Sequence, residues 1–457
     1  MLRFFRINDP YRLLFIFLIL IGIRIIQSYF IQGQFLPELK WLLLGEWLGK
    51  GFHMYREAYD YTGPLAVLIY KHTDLLFGRS PLVHHILSSL LIIVQAGIFN
   101  RILLKNKAFD ENSYLPAFFY VILMLIVPDF MSFSPQLMSM TFVLLTLGSV
   151  LRRIDNQATD ELFLNSGLFV GVATMIYPPA AIFFFVFLFS LIVFSSAIPR
   201  RLLLYLFGFV LIITLCIVYF FWRGDLSYFI EFFFLEGFML DKVVLLGSWE
   251  LLLICAPLGF VFLLSIFKSI SASRLTNFQQ RVQQVIWFMF LGGVSCFFLT
   301  NLSSGLELVF LTPLLAYFIT HYFMLLKRRI FKSVMPGLVV FGLLGYNLFA
   351  YNSLLNSVLV QEVNAPSANI LVLDEDFAYY LNKESGSPCF SKPLCQSAFQ
   401  GLGYYETATN IYKWLIKANP DLIIDKIGVV PELFDRFPLI EKKYEKTDEG
   451  YYGKISN

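Results

Sequence analysis

The chain has 457 residues, of which 58% are hydrophobic and 51 are phenylalanine, and its formal net charge is only +3. This composition lies far outside the range of soluble proteins and indicates an integral membrane protein. The charge excludes a nucleic-acid partner, because Lys and Arg cluster at the ends of apolar runs, where they report membrane orientation.

Long apolar runs predict eleven membrane-spanning helices, because a helix needs roughly 20 apolar residues to cross about 30 Å of hydrocarbon. The first run follows the basic start MLRFFRINDPYR and is too long for a signal-peptide core, so we expect it to remain as a span. The predicted spans are residues 11–31, 81–103, 114–130, 134–151, 162–177, 179–197, 202–222, 247–267, 283–299, 303–325 and 333–353.

The charges between the spans predict the orientation of the chain. With a cytoplasmic N-terminus, Arg152, Arg153, Arg200 and Arg201 fall in inner loops, while the outer loops PDFMSFSPQ, YPP and TNLSSG contain no Lys or Arg. The positive-inside rule therefore places the C-terminus outside the cytoplasm. For a bacterium, this predicts a multi-pass inner-membrane protein of the cell envelope with a periplasmic C-terminal end.

Two predicted outer segments between spans are too long to be simple connections. The first outer loop, residues 32–80, contains ELKWLLLGEWLG and GPLAVLIYKHTDLLFG, each of which predicts an interfacial helix. Residues 222–248 contain WRGDLSYFIEFFFLEGFMLDK, which predicts another. We therefore predict a transmembrane domain over residues 1–354, followed by a separate domain over residues 355–457.

The C-terminal segment has the composition of a small soluble α/β domain. NILVLDED and DLIID predict strands, ETATNIYKWLIKANP predicts a helix, PELFDRFPLIEKKY predicts a further helical stretch, and YYGKIS predicts a last strand. Cys389 and Cys395 lie close together in this segment. They form a disulfide if the segment faces an oxidising compartment and are free thiols if it does not.

The first outer loop resembles that of the GT-C glycosyltransferase superfamily, which includes the protein O-mannosyltransferases and the bacterial lipid A aminoarabinose transferases. In that family the loop runs from an acidic residue through an interfacial helix ending in Gly, then Tyr-Arg-Asp, an Asp and Gly-Pro-Leu, to a short helix ending in Phe-Gly. The corresponding residues here are Glu38, Gly51, Tyr55-Arg56-Glu57, Asp60, Gly63-Pro64-Leu65 and Phe77-Gly78.

The resemblance implies a polytopic all-α GT-C fold and transfer of a sugar from a polyprenyl-phosphate donor. The acceptor is expected to be an envelope glycan, lipid or protein outside the cytoplasm, and membrane lipids are further partners. No definite cofactor follows, no metal ligands are assigned, and a divalent metal is left open. The alternative is a non-catalytic protein that keeps the architecture and acts as a scaffold or lipid handler in an envelope assembly or secretion machine.

The resemblance assigns the catalytic base to Glu38 or Asp60. The family often has an Asp-Glu pair after span one, whereas this chain has Pro37 before Glu38. Either Glu38 removes a proton from the acceptor, or it caps a helix begun by Pro37. Asp60 precedes a Gly-Pro turn, so it is either a site residue or bonded to its own backbone.

The candidates for phosphate and substrate binding are Arg56, Arg24, Arg223, His84 and Glu307. Arg56 matches the Arg of the family's Tyr-Arg motif, which suggests that it binds phosphate. The alternative is that Arg56 forms a solvent-exposed ion pair with Glu57. Arg24 lies inside span one, where a charge either reaches out to the interface or faces a cavity.

The other substrate candidates also have structural alternatives. If Arg223 does not bind phosphate, it anchors the end of its helix at the membrane interface. If His84 does not bind substrate, it is an interfacial residue whose hydrogen bonds are made within the protein or with water. Glu307 is a membrane carboxylate, which is expected to be functional or paired inside the protein. Asp129, at the outer end of span three, is expected to be exposed.

Overall fold

The structure is a computed structural model and describes residues 2–30, 33–154, 159–194, 198–235, 243–244, 248–272, 275–300, 302–303, 305–326, 337–346, 360, 369–374, 376–448 and 450–455. The chain divides into two compact units. The helical unit comprises Met1–Gln32, Leu82–Cys216 and Lys242–Val358. The loop unit comprises Gly33–Pro81, Ile217–Asp241 and Leu359–Asn457.

A helix overlaps each of the eleven predicted spans, although the last is described only over residues 337–346. The helices are Tyr11–Phe30, Pro81–Lys105, Leu115–Ile126, Pro135–Ile154, Asp160–Ile176, Ile182–Phe194, Pro199–Arg223, Ser248–Ala272, Asn277–Leu299, Thr312–Leu325 and Gly337–Tyr346. Among the described residues, five stretches are long and apolar enough to cross a membrane: Tyr11–Phe30, Pro81–Lys105, Pro199–Arg223, Asn277–Leu299 and Gly305–Leu325. The predicted polytopic all-α class is confirmed.

Short 3₁₀ turns interrupt the helical unit where proline or glycine prevents a continuous helix. They are Pro128–Met131, Pro178–Ala181 and Gly305–Leu311. The turn over Pro178–Ala181 contains the predicted proline pair between two spans, and its prolines and first alanine are buried. Proline removes a backbone donor, so these turns are places where the chain changes direction between helices.

The helices Asp160–Ile176 and Pro199–Arg223 cross at two glycines. A Cβ atom at Gly167 would lie 2.0 Å from the Tyr205 carbonyl oxygen, and one at Gly208 would lie 2.5 Å from the Leu164 carbonyl oxygen. Small residues allow two helices in a membrane to approach until their backbones touch. This crossing therefore requires glycine at both positions.

The loop unit begins with the two helices that the loop sequence predicts. Leu36–Gly49 has proline near its start, and Pro64–Phe77 begins after Gly63 and ends at Gly78, whose φ is +65°. The helices lie in contact, since a Cβ at Gly45 would be 2.8 Å from the Tyr70 carbonyl oxygen. Leu36–Gly49 is buried over most of its length, charged residues included.

The C-terminal part of the loop unit contains a five-stranded sheet. Its strands, in spatial order, are Glu384–Ser385, Asn369–Leu373, Leu422–Asp425, Tyr451–Lys454 and Tyr444–Asp448. The first three strands are parallel to one another. Tyr451–Lys454 is antiparallel to both of its neighbours, Leu422–Asp425 and Tyr444–Asp448. The helices are Lys392–Gln400, Tyr405–Ala418, Val430–Arg436 and Pro438–Glu441. The predicted α/β class of this segment is confirmed.

One detail of the C-terminal prediction is wrong. The helical stretch expected to reach Tyr444 ends at Glu441, and Tyr444–Asp448 is a strand that pairs with Tyr451–Lys454. Gly450, with φ of +79°, allows the tight turn between these two strands. The predicted domain boundary at residues 354–355 and part of the predicted interfacial segment 222–248 lie outside the described residues.

We expect Gly167→Ala and Gly208→Ala each to destabilise the protein by about 1–3 kcal/mol, because the added methyl group meets a backbone carbonyl that has little room to move. Thermal unfolding in detergent, followed by tryptophan fluorescence, should show a midpoint lower by several degrees.

Gly22→Ala is the matched control, since it lies in a helix and a Cβ there meets nothing within 4 Å. Alanine favours the helical backbone, so this variant should be unchanged or slightly stabilised. Equal midpoints for Gly167→Ala and Gly22→Ala would contradict the close crossing.

Candidate active site

A buried ion pair joins the first loop helix to the turn that follows it. The Lys40 ammonium lies 2.8 Å from Asp60 Oδ1, and both side chains are almost completely buried. The Thr62 hydroxyl donates a hydrogen bond to Asp60 Oδ2. The same ammonium lies 4.6 Å from the centre of the Tyr61 ring. Asp60 is thus held by a cation and a hydroxyl within its own loop.

Glu38 shares this buried environment. Its side chain is 1% exposed, and it lies near Tyr70 of the second loop helix. Burial raises the pKa of the Tyr70 phenol, and the Glu38 and Asp60 carboxylates raise it further. We name Glu38, Lys40, Asp60 and Tyr70 the carboxylate cluster. With one lysine for two carboxylates, it has one excess negative charge when both carboxylates are ionised.

A second polar group, the arginine cluster, surrounds a buried carboxylate that the sequence analysis did not select. Asp225 Oδ2 lies 2.9 Å from His53 Nδ1, and Asp225 Oδ1 lies 3.6 Å from Arg56 Nη1. Arg223 reaches the same carboxylate at 3.8 Å through Nε and lies 3.0 Å from His53 Nδ1 through Nη2. His53, Arg56, Arg223 and Asp225 form this cluster.

The exposure of the arginine cluster suits anion binding. Asp225 has a side chain 2% exposed, whereas those of Arg56 and Arg223 are 31% and 38% exposed. Two guanidinium groups and one carboxylate leave a net charge of +1 with neutral histidine. A planar guanidinium binds phosphate oxygens in pairs, so the exposed arginines are suited to a phosphate group.

The C-terminal segment completes the arginine cluster. Asn410, on helix Tyr405–Ala418, accepts two hydrogen bonds from Arg56, at 2.9 and 3.2 Å. Asn410 also donates to the Tyr228 hydroxyl, which donates to Glu406. Burial and the bond to Glu406 raise the pKa of Tyr228 to about 12, so this phenol stays protonated. Arg56 is therefore oriented by two distant parts of the chain.

The turn between the two clusters contains a residue in an unusual backbone conformation. Tyr55 has φ of +66° and is fully buried, and its hydroxyl donates to the Thr62 carbonyl oxygen at 2.8 Å. Its amide donates to the Ala58 carbonyl oxygen. A non-glycine residue in this region is strained and persists where surrounding contacts hold it.

Arg24 belongs to the helical unit and does not reach out to the interface there. It is 6% exposed and donates to the Phe130 carbonyl oxygen at 2.7 Å and to the Ser88 hydroxyl at 3.3 Å. These bonds fix the turn Pro128–Met131 to span one, and the expected contact of Arg24 with a lipid phosphate stays a prediction. The bonds satisfy a charge that would otherwise be costly inside a membrane.

The other predicted residues of the helical unit are also buried. His84 packs edge-on against the Phe133 ring, with 5.9 Å between ring centres. Glu307 accepts from Gln136 Nε2 at 3.1 Å and from the Thr300 hydroxyl at 3.3 Å. Glu307 is therefore paired inside this unit, and its expected contact with substrate stays a prediction.

Asp129 is buried, contrary to the expectation of an exposed residue. It is 5% exposed, and its Oδ2 lies 2.7 Å from the position that a Cβ at Gly305 would occupy. The missing side chain of Gly305 makes room for this carboxylate. Among the residues that the structure describes, no three His, Cys, Asp or Glu side chains are arranged to hold a metal ion.

We expect Asp60→Asn to destabilise the protein by about 3–5 kcal/mol, because the Lys40 ammonium would remain buried without its charge partner. Adding Lys40→Met should restore much of the stability, since it removes that buried charge. Denaturant unfolding of the purified protein in detergent measures both effects.

Asp160→Asn is the control, since Asp160 pairs with Arg201 at 2.8 Å but is 47% exposed. Loss of this surface pair should cost less than about 1 kcal/mol. If Asp60→Asn is no more destabilising than Asp160→Asn, the Lys40–Asp60 pair does not have the structural role assigned to it.

Solved structures of membrane glycosyltransferases share this fold over nearly the whole chain. ArnT from Cupriavidus metallidurans bound to undecaprenyl phosphate has a TM-score of 0.57 at 10% identity, covering 98% of this chain and 99% of ArnT. Its apo state gives 0.56 at 12% identity, with 96% and 97% covered. The predicted resemblance to the GT-C superfamily is confirmed for the fold.

An archaeal enzyme is similar over a smaller share of its own length. The Archaeoglobus fulgidus oligosaccharyltransferase tethered with an acceptor peptide containing the NVT sequon has a TM-score of 0.50 at 11% identity. The match covers 98% of this chain and 74% of the oligosaccharyltransferase.

Sequence comparison identifies a family without identifying an activity. No curated protein sequence matches the chain significantly. A family profile matches residues 61–355, which is more than half of the chain. The chain therefore belongs to DUF6427, a family of unknown function.

Proposed function

We propose that this protein is a membrane glycosyltransferase that takes a sugar from a polyprenyl-phosphate donor and transfers it to an envelope acceptor outside the cytoplasm. The observation that carries the proposal is the pairing, within the loop unit, of a buried carboxylate cluster with a partly exposed arginine cluster. Such a transfer needs a proton acceptor for the attacking hydroxyl and cations for the departing phosphate. The GT-C fold supports it, because ArnT shares this fold and binds undecaprenyl phosphate.

In this proposal, Arg56 and Arg223 bind the donor phosphate. Asp225 holds both guanidinium groups in place and Asn410 fixes the plane of Arg56, so the cations are oriented before the lipid binds. Prepositioned donors stabilise the charge that develops on the departing phosphate without further rearrangement. Arg24 and His84 support the helical unit, and Glu307 is kept as a candidate for substrate contact there.

The base in this proposal is Glu38. Glu38 stands at the acidic position of the GT-C resemblance, whereas Asp60 is bound by Lys40 and Thr62 in the turn. We assign Asp60 the role of positioning the turn. Since Glu38 is 1% exposed, the acceptor must open the loop unit to reach it, a motion of the kind that precedes chemistry in many enzymes.

An apolar cavity in the helical unit supports a lipid donor. It has a volume of about 180 Å³ and is lined by side chains that include Leu123, Phe130, Phe262 and Leu315. The cavity has room for a short section of a prenyl chain, and burying that apolar section is favourable. The proposed topology keeps the N-terminus in the cytoplasm and the loop unit on the periplasmic side.

Glu38→Gln should reduce sugar transfer by about a hundredfold or more, because the amide cannot take the acceptor proton. Mass spectrometry of envelope glycans and of lipid-linked sugars should show loss of one modification and accumulation of its donor, at unchanged protein abundance. Glu46→Gln is the control, since Glu46 lies on the same helix but pairs with Lys50 and Arg79. Full modification in the Glu38→Gln strain would refute the assignment of the base.

Arg56→Ala and Arg223→Ala should each weaken binding of undecaprenyl phosphate by about tenfold, because each removes one charge-assisted contact. Native mass spectrometry of the detergent-solubilised protein titrated with the lipid measures this change. Arg201→Ala, which removes an arginine paired with Asp160 in the helical unit, should leave binding unchanged. Equal affinity in all three variants would show that the arginine cluster does not bind the lipid phosphate.

A non-catalytic lipid-handling component of an envelope machine is the second candidate, favoured by the burial of both carboxylates and by the neutralisation of Asp60 by Lys40. Purification from the native membrane distinguishes the two. A stoichiometric complex with other proteins, together with unchanged glycans in the Glu38→Gln strain, would favour this second function.

A further inference from the structure

Tyr59 connects the turn of the first loop to the C-terminal segment through its backbone. Its amide donates to the Pro388 carbonyl oxygen at 2.8 Å, and its carbonyl oxygen accepts from the Phe390 amide at 3.2 Å. These bonds form an isolated parallel bridge in which Tyr59 stands opposite Cys389. Tyr59 immediately precedes Asp60 and lies three residues after Arg56, so the bridge holds the stretch between the two clusters.

The Tyr59 side chain is anchored as well. It is 3% exposed, and its ring meets the Phe232 ring edge-on, with 6.1 Å between ring centres. Burial raises the pKa of its phenol strongly, and the neighbouring Trp414 side chain opposes that rise. Tyr59 thus joins its own segment of the loop unit to the other two, through the Phe232 ring and through the backbone of Pro388 and Phe390.

The segment that holds Tyr59 is closed by a disulfide. Cys389 and Cys395 are bonded, and both are buried. Cys395 lies in the first turn of helix Lys392–Gln400, whereas Cys389 lies in the bridge itself. The Ser387 hydroxyl donates to the Val372 carbonyl oxygen and accepts from the Cys389 amide, which attaches the segment to the central strands of the sheet.

We infer that Tyr59 is the positioning residue that places Arg56 and Asp60, and that it does so only while the Cys389–Cys395 disulfide is closed. This inference rests on the proposed function for its consequence, since it makes phosphate binding depend on an oxidising compartment. A dithiol reductant that opens the disulfide supplies two electrons and two protons, becomes a disulfide itself and leaves two thiols on the chain. The segment 388–390 then loses its disulfide cross-link to helix Lys392–Gln400 and is joined to it by the backbone alone, so the bridge to Tyr59 loses its fixed partner.

The test uses the full chain in detergent and compares wild type with the double variant Cys389→Ala/Cys395→Ala. Hydrogen–deuterium exchange of peptides covering residues 53–62 should be about tenfold faster in the variant, because a disulfide mainly removes freedom from open states. Peptides of helix Leu36–Gly49 should exchange at the wild-type rate. Binding of undecaprenyl phosphate, titrated by native mass spectrometry, should weaken about tenfold.

Two controls separate this effect from a general loss of stability. Cys216→Ala removes a free thiol from the helical unit and should change neither measurement. Tyr59→Phe keeps the backbone bridge and the ring contact with Phe232 and removes only the buried hydroxyl, so it should raise exchange at residues 53–62 by less than the double variant. Wild type reduced with a phosphine and then reoxidised should recover slow exchange and lipid binding.

Each outcome decides between the alternatives. Unchanged exchange at residues 53–62 in the double variant would overturn the inference, and so would a uniform rise throughout residues 33–81, which indicates only a stabilising disulfide. If wild type binds no undecaprenyl phosphate, the proposed function fails, while the exchange comparison still decides the positioning role of Tyr59.

Discussion

The buried ion pair between Lys40 and Asp60 is the constraint on which the loop unit depends. Two charges removed from water remain there only if they satisfy each other, so Leu36–Gly49 and the turn at residues 58–62 must stay together. That turn holds Tyr59 against the C-terminal segment and places Arg56 beside Asp225. A predicted base therefore has a structural role, and the arrangement of the arginine cluster follows from it.

Much of the fold was predictable because local patterns determine it. Apolar runs identified the helices of the helical unit, and Gly63, Pro64 and Gly78 marked the ends of the second loop helix. The buried partners were not predictable in the same way. Lys40, Asp129 and Asp225 look like ordinary solvated charges in the sequence, because their burial arises from segments far away along the chain. Asp225 had one local signal, its place after Gly224 at the start of a helix.

The fold and the candidate site support the function in different ways. The GT-C fold identifies a type of membrane architecture, and enzymes with that fold include one bound to undecaprenyl phosphate. The residues of this chain determine whether it transfers a sugar, and Pro37 before Glu38 leaves a single acidic residue where the GT-C resemblance led us to expect a pair. The two candidate functions share the arginine cluster and differ in whether Glu38 takes a proton.

The loop unit is built from three segments that are far apart in the sequence, so it can fold completely only after the last of them has been synthesised. Arg56 and Asn410 are 354 residues apart, so the first loop is synthesised long before the segment that orients its arginine. At about 5–20 residues per second, the loop waits roughly tens of seconds for its partner. During that interval Tyr59 lacks the bridge to Cys389 and its bonds to Pro388 and Phe390. Newly made chains therefore expose an aromatic, charged surface that other proteins of the same compartment must tolerate or protect.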